Sequence, residues 1–264
     1  MKIDAQGERR RMELAVGYFT RIPVSALADE SPEALGRSAR YLPAVGLLVG
    51  LLSALALWLA AQIWPTGAAV LLSMSFSLLL TGALHEDGLA DAADGFGGGF
   101  ERERVLRIMK DSRIGSFGAI ALLLSLTLKF ALLSALANQG LALALAVLLV
   151  AHTVSRCAAL SVMLRLDYQS LASGARARPF ADSVGITEWR IGAATGGLVL
   201  TLVCLIGGIS LAALLAVVGG VAAATWGCMA YFRSRIGGYT GDCLGATQQV
   251  TEIVIYLAVT AVMH

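Results

Sequence analysis

The sequence predicts an all-α membrane protein, a polytopic bundle of about seven transmembrane helices that forms a single domain over residues 1–264. The chain is 57% hydrophobic and 14% charged, with a mean hydropathy of +0.75. Soluble domains are usually about a quarter charged, so much of the apolar surface must face lipid. Seven apolar runs also approach the roughly 20 residues that a helix needs to cross a bilayer.

The connections between these runs alternate in charge, which predicts the orientation. The expected spans are 42–64, 67–84, 117–137, 140–164, 191–207, 210–232 and 250–263. Connections after the first, third and fifth spans are short and uncharged, whereas the others hold nearly all the arginines and lysines, Arg176 and Arg178 among them. Excess Lys and Arg marks the cytoplasmic side. The N-terminus is therefore expected inside, the C-terminus outside, and catalytic loops at about 85–116, 165–190 and 233–249 on the cytoplasmic face.

Composition also excludes several classes. A net charge of +2 without a basic stripe does not favour nucleic-acid binding. Four scattered cysteines without CxxC spacing indicate neither a disulfide framework nor a zinc site.

The densest cluster of candidate residues is acidic and follows the second predicted span. Asp87, Asp91 and Asp94 stand at i, i+4 and i+7, so they line one face if the segment is helical. No lysine or arginine at helical spacing neutralises them, and charges near a bilayer need compensation. Oxygen ligands of this kind suit Mg²⁺, which joins one or two carboxylates to substrate phosphates. These three aspartates, together with Glu86, are the expected metal ligands.

Two further segments on the same face supply candidate substrate contacts. Glycines 97 and 98 could turn backbone amides toward a phosphate, or could simply end a helix. Lys110 and Arg113 add positive charge for phosphate oxygens. The segment 237–249 adds Gly238, Thr240 and Asp242. Asp242 or Asp111 is the candidate general base.

A few ionisable residues fall within the predicted spans, where such residues are functional hypotheses by default. His152 and Arg156 lie one turn apart, so both could point into the bundle, and Arg156 could reach a substrate phosphate. Lys129 is assigned no role.

Four motifs together resemble one enzyme family. They are HEDGLADAADGFGGG at 85–99, MKDSRIGSFG at 109–118, GGYTGDCLGATQQ at 237–249 and the early FTRIPV at 19–24. With them the chain looks like the cobalamin synthases, which are adenosylcobinamide-GDP ribazoletransferases. The resemblance extends over nearly the whole chain.

The resemblance implies the last step of nucleotide-loop assembly in vitamin B12 biosynthesis. In that reaction adenosylcobinamide-GDP and α-ribazole, or its 5′-phosphate, give adenosylcobalamin, or its 5′-phosphate, and GMP. It also implies Mg²⁺ as cofactor and a bacterial inner-membrane location with the active site on the cytoplasmic side. A homo-oligomer, or association with other nucleotide-loop enzymes, is compatible with it.

Two alternatives stay open on the residues alone. A CDP-alcohol-type or prenyl-diphosphate transferase would also bring aspartates and Mg²⁺ to the inner face. A membrane transporter would use the intramembrane charges, although transporters place paired charges and broken helices near the midplane, whereas the acids found here concentrate in the cytoplasmic loops.

Overall fold

The computed structural model describes residues 5–24, 31–171, 183–207 and 209–263, and within them the chain is helical. The helices are α1 (Ala5–Phe19), α2 (Pro32–Ser38), α3 (Leu42–Ala61), α4 (Thr66–Thr81), α5 (Leu84–Gly98), α6 (Arg102–Ile108), α7 (Ser116–Gln139), α8 (Leu141–Arg165), α9 (Ile186–Gly207), α10 (Leu211–Ile236) and α11 (Gly241–Met263). A single 3₁₀ turn, Ala39–Tyr41, joins α2 to α3. Among the described residues the nearest approach to a strand is one isolated bridge between Tyr168 and Tyr239.

Among the described residues, six helical stretches are long and apolar enough to cross a membrane: 33–61, α7, α8, α9, α10 and α11. The pair formed by α4 and α5 is bent by 85° and makes a seventh if it is counted as one broken span. Large apolar side chains on the outside, such as Leu79 at 76% and Leu205 at 78% exposure, are suited to lipid. The predicted all-α bundle of about seven spans is confirmed, and the chain is a multi-pass membrane protein.

The second predicted span is broken rather than continuous, which corrects the expected run 67–84. Gly82 and Ala83 both adopt left-handed backbone conformations, with φ of +66° and +56°. A side chain at Gly82 would overlap the guanidinium of Arg21, whose backbone N–H donates to the Leu80 carbonyl at 2.7 Å. The early FTRIPV motif therefore contacts the point where α4 ends and α5 turns away.

The last span is longer than predicted, so the expected loop 233–249 is wrong. Helix α10 continues to Ile236, and Gly237 turns the chain with φ of +76°. The Thr240 hydroxyl then accepts a hydrogen bond from the Cys243 amide at 3.3 Å. Helix α11 therefore starts at Gly241, nine residues before the predicted 250. The polar residues that suggested a loop are buried within a helix, so polarity did not mark a helix end here.

Two other boundaries also differ from expectation. Helix α9 begins at Ile186 instead of 191. The sequence placed its start too late because the first turn of the helix is polar and does not resemble a membrane span. Part of the predicted loop 165–190, residues 172–182 with Arg176 and Arg178, lies outside the described residues.

Helix α8 lies at the centre of the bundle and packs against α3, α11 and α9. Its apolar residues belong to the largest core cluster, which includes Val147, Ala151, Leu133 of α7 and Ile255 of α11. Helix α5 packs between α7 and α11. That position carries the acidic motif into the bundle against the motif 237–249.

Candidate active site

A cavity of about 300 Å³ lies where α5 meets α11. Its polar lining includes Asp87, Lys110 and Asp242, with His85 and Gln248 nearby. Its other walls are aromatic and apolar, formed by Tyr18, Phe19, Leu42, Leu84, Ala159, Met163, Tyr168, Tyr239 and Leu244. One cavity thus combines carboxylates and an ammonium group with a large aromatic surface.

Two glycines let α5 and α11 approach closely enough to form this cavity. A Cβ on Gly88 would stand 3.1 Å from the Asp242 carbonyl oxygen and 3.2 Å from the Gly245 Cα. A Cβ on Gly245 would stand 2.9 Å from the His85 carbonyl oxygen. Small residues permit such close helix crossings. This crossing brings the acidic motif and the motif 237–249 into one site.

The acidic motif is helical, so Asp87, Asp91 and Asp94 share a face of α5 as expected. Asp87 is exposed to the cavity and Asp91 is half-buried. Asp91 interacts electrostatically with Asp87 and with Asp242 of α11, and the cation acting on it is Lys110. Across the described residues no group of three or more His, Cys, Asp or Glu is arranged to hold a metal by itself.

Asp94 is engaged differently from the other two aspartates. Its carboxylate oxygens accept the backbone amides of Gly115 at 2.7 Å and Gly118 at 2.8 Å. A side chain at either glycine would overlap this carboxylate. Asp94 therefore holds the N-terminus of α7, where a negative charge and an acceptor are favourable.

The segment after α8 closes one side of the cavity by pairing with the motif 237–249. The Tyr239 amide donates to the Asp167 carbonyl at 3.0 Å, and the Gln169 amide donates to the Tyr239 carbonyl at 2.8 Å. Gly238 lies so close to Asp167 that a side chain would overlap it. The rings of Tyr168 and Tyr239 meet edge to face at 5.6 Å. Burial raises the pKa of Tyr168, and the charge of Asp242 raises it further.

Comparison with known proteins identifies the chain. The family model described as cobalamin-5-phosphate synthase matches residues 11–260. The chain belongs to the cobalamin-5-phosphate synthase family. The family resemblance seen in the motifs is thereby confirmed.

Curated relatives of the same family align over most of their length. An adenosylcobinamide-GDP ribazoletransferase from Ralstonia nicotianae is 48% identical over 93% of both chains. Relatives of that name from Shewanella putrefaciens and Shewanella oneidensis are 47% and 46% identical, over 94% of this chain and 93% of theirs. No solved structure matches the chain.

Among the expected site residues, Asp111 and Arg113 do not line the cavity. They pair with each other at 2.6 Å, and Arg113 is 86% exposed. Hydrogen bonding from Arg113 lowers the pKa of Asp111 to about 2, which makes it a weak proton acceptor. Lys110, by contrast, lines the cavity as expected.

The expected phosphate-binding glycines also lie outside the cavity lining. Gly97 and Gly98 belong to the last turn of α5, where helix bonding occupies backbone amides and leaves carbonyls exposed. Arg235 donates to two of these carbonyls, Phe96 at 3.0 Å and Gly99 at 2.6 Å. Gly238 and Thr240 are buried beneath the cavity, Gly238 in the pairing with the 167–169 segment and Thr240 at the start of α11.

Glu86 and Arg156 lie in a second, buried cluster, on the side of α5 that faces away from the cavity. There Lys129, which the sequence left without a role, approaches Glu252 at 3.0 Å and Glu86 at 3.9 Å. Sequence reasoning did not single out Glu252, although an acid inside the last span is a functional hypothesis by default. Transporters also place paired charges and broken helices inside the bundle, so this cluster and the broken α4–α5 pair do not exclude a transporter. The family assignment is what favours a transferase.

Proposed function

We propose that this protein is an adenosylcobinamide-GDP ribazoletransferase that joins adenosylcobinamide-GDP to α-ribazole, or to its 5′-phosphate, with release of GMP. The proposal rests on the family and on the name its curated relatives carry. The structural observation that carries it is the crossing of Gly88 and Gly245, which brings Asp87, Asp242 and Lys110 to one cavity. Acid and base groups facing a nucleoside-sized cavity suit phosphoryl transfer.

The donor set of the cavity fits Mg²⁺ shared with a substrate phosphate. Asp87 and Asp242 line the cavity together with one lysine, and Asp91, one helical turn from Asp87, interacts electrostatically with all three, which leaves a negative surplus. Mg²⁺ characteristically uses one or two carboxylates and completes its shell with phosphates and water, so a set too sparse to hold a metal alone is still suitable. We propose Asp87 and Asp91 as ligands. Bound there, Mg²⁺ would neutralise charge on the pyrophosphate.

Asp94 and Glu86 are left out of the proposed ligand set, because Asp94 holds the amides of α7 and Glu86 faces the other side of α5. Asp242 is the proposed base, because it lines the cavity while Asp111 is tied to Arg113. In the reaction a secondary ribose hydroxyl oxygen of the riboside forms a bond to the cobinamide-side phosphorus, Asp242 accepts the hydroxyl proton, and the phosphorus–oxygen bond to GMP breaks. The 5′-oxygen takes no part, since it carries the phosphate in α-ribazole 5′-phosphate and keeps it in the product. Lys110 stabilises negative charge on the phosphoryl oxygens, as positioning and charge neutralisation dominate such transfers.

The size of the cavity assigns the two substrates to different places. About 300 Å³ is at the lower end of small-molecule pockets, enough for a nucleoside and too small for a corrinoid ring. We place the aromatic base of the riboside between Tyr168, Tyr239 and Phe19. The corrinoid then stays at the mouth and presents only its pyrophosphate to Lys110 and the aspartates. The positive-inside pattern supports a cytoplasmic mouth in a bacterial inner membrane.

The deciding experiment measures GMP release by the full-length protein in lipid nanodiscs, with adenosylcobinamide-GDP and α-ribazole. We expect turnover that requires Mg²⁺ and is lost with EDTA. Asp91→Asn should reduce it by about a hundredfold to a thousandfold, the range that removal of transition-state charge stabilisation produces. Glu103→Gln, which changes an exposed carboxylate of α6, is the matched control and should retain turnover.

Different results would point elsewhere. Release of CMP or pyrophosphate from other donors, without GMP formation, would indicate one of the related transferases. Near-normal turnover of Asp91→Asn in folded protein would sink the metal proposal while leaving the reaction in place.

A further inference from the structure

A polar cluster inside the bundle lies on the opposite side of α5 from the cavity. It contains Glu86 of α5, Lys129 of α7, His152 and Arg156 of α8, and Gln249, Glu252 and Tyr256 of α11. All seven are at least nine-tenths buried. We call this group the inner cluster. Ionisable groups at such positions are costly unless paired, and they are usually functional.

The charges of the inner cluster balance. Lys129 bonds Glu252 at 3.0 Å and approaches Glu86 at 3.9 Å. Arg156 interacts electrostatically with both acids and donates to the His152 carbonyl at 2.7 Å. Two carboxylates thus face one ammonium and one guanidinium group. This distinguishes the inner cluster from the cavity, where carboxylates outnumber cations.

The inner cluster is joined to the cavity through neighbouring residues on the same two helices. Gln249 donates to Glu86 at 2.9 Å, which ties α11 to α5. The next residue on α5 is Asp87, and the residue before Gln249 is Gln248; both line the cavity. The Gly88–Gly245 crossing is adjacent to them: Gly88 follows Asp87 on α5, and Gly245 lies one turn before Gln248 on α11. A shift of α5 against α11 would therefore break the inner cluster and move Asp87 relative to Asp242.

The inner cluster also leaves little free space. Its cavity holds about 20 Å³, room for about one water molecule. Within the described ranges, Glu86 Oε2, His152 Nδ1 and two guanidinium nitrogens of Arg156 lack a protein hydrogen-bond partner. The space is too small for a substrate, so a substrate-binding role is excluded and a role in the architecture remains.

We propose that the inner cluster positions the catalytic carboxylates: the Lys129–Glu252 pair and the Gln249–Glu86 bond set the register of α5 on α11, and with it the separation of Asp87 and Asp242. Lys129, Glu252, Glu86 and Gln249 are positioning residues that touch no substrate. The inference rests on the proposed function for its kinetic readout. Its structural readout is independent of any activity.

The test uses Lys129→Met, which removes the charge and keeps the length, with Lys129→Arg as the conservative variant. In nanodiscs we expect kcat for GMP release to fall about 10- to 100-fold in Lys129→Met, as misplacement of reacting groups by about 1 Å does. The KM for α-ribazole should change less than about threefold, because the aromatic walls are untouched. Lys129→Arg should restore most of kcat. Thr225→Val, a buried polar change on α10, is the control.

Cys243 provides the structural readout, because it is fully buried beside Asp242 at the crossing. Its labelling by a maleimide, followed by mass spectrometry, should accelerate at least fivefold in Lys129→Met. Cys157, packed between α8 and α9 near Gly196, reports general loosening in the same molecule and should not change. Equal acceleration at both cysteines, or no change at Cys243, would overturn the positioning role.

If Lys129→Met does not fold, Gln249→Leu provides the same test without changing charge. It should lower kcat and expose Cys243 in the same selective way, and unchanged kcat and labelling would overturn the proposal. Failure of the proposed function is distinguishable, since wild type would then release no GMP while the labelling comparison still reported on the crossing.

Discussion

Glu86 and Asp87 are neighbours in the sequence, yet they belong to two regions of opposite electrostatic character on the two sides of α5. On the Asp87 side the cavity is about 300 Å³ in volume, and its carboxylates face one lysine. On the Glu86 side the inner cluster leaves about 20 Å³ and matches two carboxylates with one ammonium and one guanidinium group. Unbalanced charge in a roomy cavity can recruit a cation and a phosphate. Balanced charge with room for about one water molecule is suited to fixing helices.

The largest expected effect comes from comparing two acids of one helix that belong to different regions. Asp242 and Glu252 lie ten residues apart on α11, one in each region. Asp242→Asn should reduce GMP release about 100- to 10,000-fold, because a positioned general base contributes that much. Its unfolding midpoint should stay at or above that of the wild type, since a like charge has been removed from a carboxylate group. Steady-state kinetics and thermal unfolding without Mg²⁺ measure both.

Glu252→Gln should lower stability more than Asp242→Asn does and should lower GMP release less. It leaves Lys129 and Arg156 with one acid between them, and removal of one partner from a buried ion pair typically costs about 3–5 kcal/mol. Thermal or denaturant unfolding in detergent should register that loss. If Glu252→Gln were as stable as the wild type, the balanced-charge description of the inner cluster would be wrong.

A smaller effect is expected at the crossing that joins the two regions. Gly88→Ala places a methyl group against the backbone of α11, and overpacking of this kind costs about 1–3 kcal/mol. Turnover should fall along with stability. Gly227→Ala on α10 meets nothing within 4 Å and should leave both unchanged. Comparable losses in the two variants would show that the close approach of α5 and α11 at Gly88 has no special importance for stability or turnover.

The smallest effect is expected at the exposed pair outside both regions. Asp111→Asn should change kcat by less than about threefold, because Asp111 does not line the cavity and is not the proposed base. Its pKa is lowered to about 2, so the carboxylate favours folding above the unfolded value of about 3.9 and loses that effect as pH falls through about 2. Between pH 5 and 9 the pH–rate profile of Asp111→Asn should superimpose on that of the wild type. A large loss of turnover would indicate that Asp111, and not Asp242 alone, must be considered as the general base.

Sequence patterns predicted the spans wherever apolar runs were long, and they failed at polar helix ends. Residues 241–249 are polar and small, which is typical of a loop, yet the Gln249 side-chain amide donates to Glu86 and the Thr247 hydroxyl donates to a carbonyl of its own helix. Burial of these bonds inside the bundle extends α11, and no local pattern reports them. In the same way, the break after α4 was not predicted, because it involves Arg21, which follows α1 and is distant in the sequence.

By itself the sequence determined the all-α membrane bundle, the acidic face of one helix and the family, because composition, helical periodicity and long motifs are local properties of the chain. Only the tertiary structure decided which charges from distant segments share a space. Asp87 meets Asp242 and Glu86 meets Lys129, although the acids looked alike as residue types. The first of these meetings depends on the close approach of α5 and α11 at two glycines, and that contact joins residues more than 150 positions apart in the chain.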